Sequence, residues 1–206
     1  MLVLIKGAGD LATGTAVRLY RAGIKVVMTE VAQPTAVRRT VAFSQCMYDG
    51  AAQVEGISAR RAEDAGAARR ALERGEVPVL CDPEAAILRE LSFDGVVDAI
   101  LAKRNLGTAI TDAPVVLALG PGFTAGVDCH GVVETMRGHN LGRLLTQGSA
   151  APNTGVPGDV GGYTTQRIIR APADGAFEPL AAIGQRVKEG QPVARVAGRT
   201  ACAQLT

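Results

Sequence analysis

The stretch "LVLIKGAGDLATGTAVRLYRAGIKVVMTE" constrains the fold more tightly than any other part of the chain. Leu2 to Ile5 form a short apolar run with β-branched residues, ended by Gly7 and Gly9. Leu11, Val17, Leu19 and Tyr20 then recur at roughly helical spacing. Gly23 stands where a left-handed cap residue closes a helix, and Lys25 to Met28 start a second apolar run that finishes at Glu30. The spacing predicts a β-α-β unit.

Within that unit Gly7, Gly9 and Ala12 satisfy the G-x-G-x-x-G/A spacing, with Glu30 at the end of the following strand. Glycines there let the backbone turn sharply and approach a phosphate, which the helix N-terminus favours through its free amides and its dipole. A nucleotide or phosphate site and a ligand-free strand-to-helix turn both fit the pattern. Asp10 bears on the choice, because its carboxylate lies close to where a diphosphate would rest and can instead cap the helix. No companion pair of redox acid-base residues stands out, which argues against ordinary NAD chemistry.

At 206 residues the chain is long enough for one large domain or two small ones, and two are expected. A net charge of +2 and the absence of Trp give no reason to expect nucleic acid, so an anionic ligand should be small and met locally. No uncharged run approaches the roughly 20 residues of a membrane span. Met1 to Ile5 lack a basic leader and run into a glycine turn, which suggests a cytoplasmic protein without a secretion signal. Cys46, Cys81, Cys129 and Cys202 are widely separated, so free thiols are expected; Cys46 and Cys81 read most simply as small core residues.

Further along, "QPTAVRRTVAFSQ" predicts a helix that opens at Pro34 and aligns Val37, Val41 and Ser44 on one face. Asp49-Gly50 predicts a turn between an extended Met47-Tyr48 and a return strand containing Val54 and Ile57. A solvent-facing helix over Glu63 to Arg74, a strand "VPVLCD", a helix from Pro83 to Leu91 and a strand "GVVDAIL" follow. This alternation predicts a mostly parallel sheet covered on both faces over residues 1–113. From Pro114 the glycines multiply and the apolar runs shorten, which predicts a β-rich segment and a glycine-rich loop over 114–165. Residues 166–206 read as a small β-module, with strands near Val193 to Val196 and Ala201 to Leu205. It has too few strands to bury a sheet face, so a chain cut short, or an edge paired elsewhere, is expected.

Gly120-Pro121-Gly122 ends an apolar strand and can present successive N–H groups as an anion nest, with Arg137, His139 and Arg143 downstream to hold phosphate or carboxylate oxygens. A hairpin with a charged rim fits the same spacing. Lys103 and Arg104 follow the run "VVDAIL", and in an open parallel sheet such strand ends face the ligand crevice or simply solvent. Cys129, His130, Glu134 and His139 invite a metal reading. In an extended segment His130 and Glu134 share a face while Cys129 points away, so no metal site is expected.

Six strings, "IKGAGDLATGTAVRL", "TEVAQPTAVRRTVAFSQ", "LAKRN", "ALGPGFTAG", "VVETMRGHNLGR" and "PNTGVPG", occur in order and together resemble the bacterial accessory proteins of the selenium-dependent molybdenum hydroxylase system. That family is related more loosely to xanthine dehydrogenase accessory factors. The resemblance implies an α/β fold with a Rossmann-like parallel sheet and helices on both faces, and a maturation role served by a molybdopterin-type cofactor and a molybdenum hydroxylase apoenzyme as partner. It does not establish a reaction. The tail "RAPADGAFEPLAAIGQRVKEGQPVARV" resembles one half of a biotinyl/lipoyl-like barrel-sandwich module, yet "VAGRTACAQLT" lacks the lysine that a biotin carrier needs, so a docking or structural module is implied. The cofactor-binding reading uses Gly7, Gly9, Asp10, Ala12 and Glu30 with Lys103, Gly120, Gly122, Arg137, His139 and Arg143. The rival, an NAD(P)-dependent oxidoreductase, uses the same turn and needs an acid-base residue such as Lys103 or His130. A homo-oligomer stays open under either.

Overall fold

The computed structural model describes residues 1–204, which divide by their internal packing into a unit over Met1–Pro152 and a second beginning at Asn153. The first unit opens with strand β1 (Leu2–Lys6), helix α1 (Asp10–Arg21) and strand β2 (Lys25–Glu30). Gly23, at φ +78°, makes the left-handed turn between α1 and β2. The β-α-β expectation holds, with β1 and β2 parallel and in register from Leu2 opposite Lys25 to Lys6 opposite Thr29.

After β2 come the short helix α2 (Cys46–Asp49), the hairpin of β3 (Ala51–Val54) and β4 (Ile57–Ala62), helix α3 (Ala65–Glu73), and the strands β5 (Val77–Cys81) and β6 (Gly95–Asp98). Strands β7 (Val115–Leu119), β8 (Gly131–Val133) and β9 (Leu144–Leu145) complete a nine-stranded sheet in the order β3-β4-β5-β2-β1-β6-β7-β8-β9. Only the outermost pairs, β3 with β4 and β8 with β9, are antiparallel. Thus the residues after Pro114 extend the first sheet, and the division near residue 152 differs from the sequence boundaries after 113 and 165.

Alternate residues of the buried strands feed two cores. Val3, Ile5, Val26 and Met28 pack with Ala12, Ala16 and Val17 of α1 and with Phe43 and Met47 on one face. Leu4, Val27, Leu80, Val96 and Val116 pack with Ala65 and Ala68 of α3 and with Phe123, Ala125 and Ala150 from loops on the other. The fold class is therefore mixed α/β with a mostly parallel sheet, but helices are few and loops supply much of the cover. Helix α3 is also less solvent-facing than its charged composition suggests, since Ala65, Ala68 and Ala71 are buried.

Three local expectations are corrected. Residues 34–44 form no α-helix; 3₁₀ turns occupy Arg39–Val41 and Phe43–Gln45, Val37 is 91% exposed, and Phe43 is fully buried. Phe43 N–H donates to Thr13 Oγ1 at 2.9 Å and Ser44 N–H to the Ala8 carbonyl at 2.8 Å, so these amides are taken up by α1 and the glycine turn, and the segment's own backbone bonds close only 3₁₀ turns. The hairpin turns at Glu55-Gly56, both at positive φ, whereas Gly50 is the left-handed cap of α2. The helix expected over Pro83 to Leu91 shrinks to a 3₁₀ turn at Ala86–Arg89, because the Asp82 carboxylate accepts from Ala86 and Ile87 N–H, both at 2.9 Å, in a local alternative to helix bonding.

In the second unit β10 (Phe177–Pro179), β11 (Pro192–Val196) and β12 (Arg199–Cys202) form an antiparallel sheet with β11 in the centre. Ala194, Val196, Ala201 and Ala203 are buried. The run over Val193 to Val196 is thus paired on both sides, while of the run over Ala201 to Leu205 the last residue lies outside the described residues.

Candidate functional site

Strand order reverses at β1: the chain leaves it toward β2 on one side and reaches β6 on the other. Ligands of open α/β sheets collect at the carboxyl ends of the strands flanking such a point. Gly7 leaves β1 there at φ +95°, and a Cβ on it would lie 2.9 Å from the Ala99 carbonyl oxygen, so only glycine lets the turn press against the segment that leaves β6. Gly9 is different. It precedes α1 in an extended conformation, no side chain caps the helix from it, and a Cβ there would meet nothing within 4 Å. The space beside Gly9 at the N-terminus of α1 is therefore open, and the first-turn amides have no intrahelical partner.

Asp10 forms an ion pair with Arg38, so the carboxylate nearest the helix end is offset by a cation from the loop after β2. Ala12 is buried and seats α1 on the sheet. The Glu30 carboxylate accepts the Ala8 N–H at 2.9 Å through Oε2 and the Val31 N–H at 2.8 Å through Oε1. It ties the end of β2 to the glycine turn.

On the β6 side the loop "LAKRN" carries Leu101 at φ +60° and Lys103 at φ +63°, unusual values for residues with side chains. Lys103 and Arg104 are both exposed. Gly122, at φ +108°, lies so close to this loop that a Cβ would stand 2.5 Å from the Arg104 nitrogen. Gly120 similarly abuts Thr135, whose Oγ1 would be 2.7 Å from an added Cβ. The turns after β1, β6 and β7 are therefore mutually packed, bringing Gly7, Lys103, Arg104, Gly120 and Gly122 onto one edge.

Arg137, His139 and Arg143 follow Thr135 in the loop between β8 and β9; their side chains are exposed and make no hydrogen bond or ion pair with described residues. No distance places them against the glycine turn. The neighbours that invited a metal reading are engaged otherwise. His130 Nδ1 accepts the Val116 N–H at 3.0 Å, and the buried Glu134 accepts from Met136 N–H at 2.7 Å and Ala151 N–H at 2.8 Å. Those amides, Ala151 foremost, hold the Glu134 carboxyl below the usual glutamate range, while burial pushes the Cys129 thiol up. Among the described residues no three His, Cys, Asp or Glu side chains gather in a metal-binding arrangement. A groove of about 350 Å³ in the second unit, lined by residues including Ile169, Arg170, Thr200 and Cys202, contains none of the candidate residues.

Sequence reasoning missed one polar cluster. Thr29, Lys6 and Asp98 are register neighbours across β2, β1 and β6, and they are 2%, 3% and 1% exposed. Lys6 Nζ donates to Thr108 Oγ1 at 2.6 Å, and that hydroxyl donates to Asp98 Oδ2 at 2.6 Å. The signal was present: each apolar run, "LVLIK" and "GVVD", ends on a charged residue at the carboxyl end of a buried parallel strand.

The chain is similar to the uncharacterized protein YqeB of Escherichia coli (strain K12). The two are 53% identical over 205 residues, a match that takes in 100% of this chain and 38% of YqeB. This chain therefore spans well under half the length of that relative. No family model and no solved structure matches.

Proposed function

We propose that the protein is an accessory factor in the maturation of selenium-dependent molybdenum hydroxylases, and that it binds a phosphate-bearing molybdopterin-type or nucleotide cofactor at the edge formed by β1, β6 and β7. The six strings that resemble the family support the maturation role. The observation that carries the binding role is the uncapped, open N-terminus of α1 at Gly9, set beside a packed row of turns that includes Lys103 and Arg104. Free helix amides and exposed cations form a donor set that fits phosphate oxygens. The sheet order around β1 and the helices on each face support a Rossmann-like description of the first unit.

When bound, the cofactor would supply the metal-coordinating chemistry, and the chain's own residues would hold its phosphate end. The amides after Gly9 meet the anion, the exposed cations offset its charge, and Arg38 keeps the Asp10 carboxylate from opposing it. Arg137, His139 and Arg143 offer further unpaired donors, and a molybdenum hydroxylase apoenzyme is the partner to which the cofactor passes. No helix among the described residues is long and apolar enough to cross a membrane, and a cytoplasmic setting suits the role. The second unit serves as a docking or structural module of barrel-sandwich type.

Both Glu30 oxygens already accept a backbone amide, which leaves the ribose of any dinucleotide only their remaining lone pairs. Calorimetric titration with molybdopterin cofactor, NADH and inorganic pyrophosphate in separate runs tests the proposal. Saturable binding of the molybdopterin cofactor, competed by pyrophosphate, is expected; failure of that cofactor to bind would overturn the proposal, and tighter binding of NADH would favour the oxidoreductase reading.

A further inference from the structure

The buried cluster of Lys6, Thr108 and Asp98 has no part in the cofactor contacts proposed above. Its geometry nevertheless bears on them. Lys6 and Asp98 stand opposite each other at the last register position shared by β1 and β6. They are joined through the Thr108 hydroxyl, which accepts from the ammonium and donates to the carboxylate, each bond being 2.6 Å. Burying two charges for one bridging hydroxyl contributes little to stability compared with apolar packing, so its stronger effect is on which conformation forms.

The conformation in question is that of the segment from Ala99 to Thr108. Asn105 clasps its far end, since Asn105 Oδ1 accepts the N–H groups of Gly107 at 2.9 Å and Thr108 at 2.8 Å while Nδ2 donates to the Thr108 carbonyl at 2.8 Å. Asp98 Oδ1 accepts the Ile100 N–H at 3.2 Å at the near end. Between these anchors lie Leu101 and Lys103 at positive φ, and Gly122 presses on the backbone of Lys103 and Arg104. Strained backbone of this kind persists only where its surroundings over-determine it. Here the surroundings are the Asn105 clasp, the Gly122 contact and the buried bridge.

We propose that Lys6, Thr108 and Asp98 are positioning residues, whose bridge fixes the 99–108 loop so that Lys103 and Arg104 meet a diphosphate-type oxyanion at the N-terminus of α1. The ligand class rests on the reading of that edge as an anion site; the loop-fixing role rests on the bridge alone. Thr108→Val keeps the side-chain volume and removes both bonds, whereas Thr108→Ser keeps the hydroxyl.

Two measurements on the full chain separate the two parts. In limited trypsin digestion followed by mass spectrometry, cleavage after Lys103 and Arg104 should rise at least tenfold in Thr108→Val and stay near the unsubstituted rate in Thr108→Ser. Lys6→Met, which takes the ammonium out of the bridge and keeps an apolar stem of similar length, should also raise cleavage, and it carries the test if Thr108→Val does not fold. Affinity for inorganic pyrophosphate should fall about tenfold in Thr108→Val and recover in Thr108→Ser. Unchanged cleavage at this loop in folded variants overturns the positioning role. An unsubstituted protein that binds no pyrophosphate, but whose loop is freed by Thr108→Val, removes the anion reading and leaves the bridge as the loop's fixing element.

Discussion

Glu30 and Ala8 are joined across the carboxyl edge of the sheet, the Glu30 carboxylate accepting the Ala8 N–H at 2.9 Å. The bond sets the path of the turn between Gly7 and Gly9 from a neighbouring strand. Glu30→Gln keeps one acceptor oxygen and loses the charge, so it should cost about 1 kcal/mol, and Glu30→Ala about 2 kcal/mol, by denaturant titration. NADH affinity that collapses in Glu30→Gln without loss of stability would instead assign this carboxylate to a ribose.

The two glycines of the turn should respond in opposite ways. A Cβ at Gly9 meets no atom within 4 Å, so Gly9→Val should cost only about 1 kcal/mol of stability while reducing pyrophosphate affinity at least tenfold. Gly7→Ala combines positive φ with a contact at 2.9 Å and should cost about 3 kcal/mol. Thermal melts and calorimetry on both variants check the contrast; a folded Gly9→Val protein with unchanged affinity sinks the phosphate site.

Arg137 and Arg143 are exposed and have no partner among the described residues, so Arg137→Ala and Arg143→Ala should each change stability by less than about 0.5 kcal/mol. If they hold phosphate, each should weaken cofactor binding by about 1.5 to 3 kcal/mol, with a loss that shrinks at high salt. Titrations at two salt concentrations read this directly. Unchanged affinity at both would confine the ligand to the edge at α1.

Glu134 gives the fold a specific acid sensitivity. Its folded-state pKa lies below the unfolded value of about 4.3, so its contribution is complete above that value and fades as the pH falls through the folded pKa. Glu134→Gln should lower stability at neutral pH and flatten the decline below about pH 4.3. Equal acid dependence of the two proteins would show that other carboxylates dominate.

Thiol reactivity should divide by burial. Burial pushes the Cys46 thiol up to about 11, and Cys46 and Cys129 are both buried, whereas Cys81 and Cys202 are exposed. Iodoacetamide at pH 8 should modify Cys81 and Cys202 in the native protein and reach the other two only after unfolding, as mass spectrometry would show. Rapid native modification of Cys46 would contradict its place in the core.

The β-α-β unit was legible because its glycines, its helical repeat and its apolar runs are all local signals. The segment from Pro34 to Gln45 was not, because the N–H groups of Phe43 and Ser44 bond to Thr13 and Ala8, partners thirty or more residues away that no periodicity reports. For Cys81 the reading as a core residue failed at a strand end, where an apolar run reaches the surface. The place of Gly7, Gly9 and Glu30 at the strand-to-helix turn was legible from spacing, but the bond from Glu30 to the turn needed the register of β1 and β2. Lys6 and Asp98 escaped notice since each looks like the polar end of a strand, and only the parallel pairing of β1 with β6 puts them side by side.

That pairing also bears on the order in which the molecule assembles. Strand β1 finds β2 through a short helical connection, but on its other side Leu2 meets Asp94, 92 positions along the chain. Contacts between such distant segments form late, after the chain has met the entropy of closing a long loop. Until β6 arrives, the central strand has one open flank, able to pair with another chain. Crowding during refolding should therefore harm this protein most before β6 docks, and a β-α-β fragment released from the rest would keep that flank exposed.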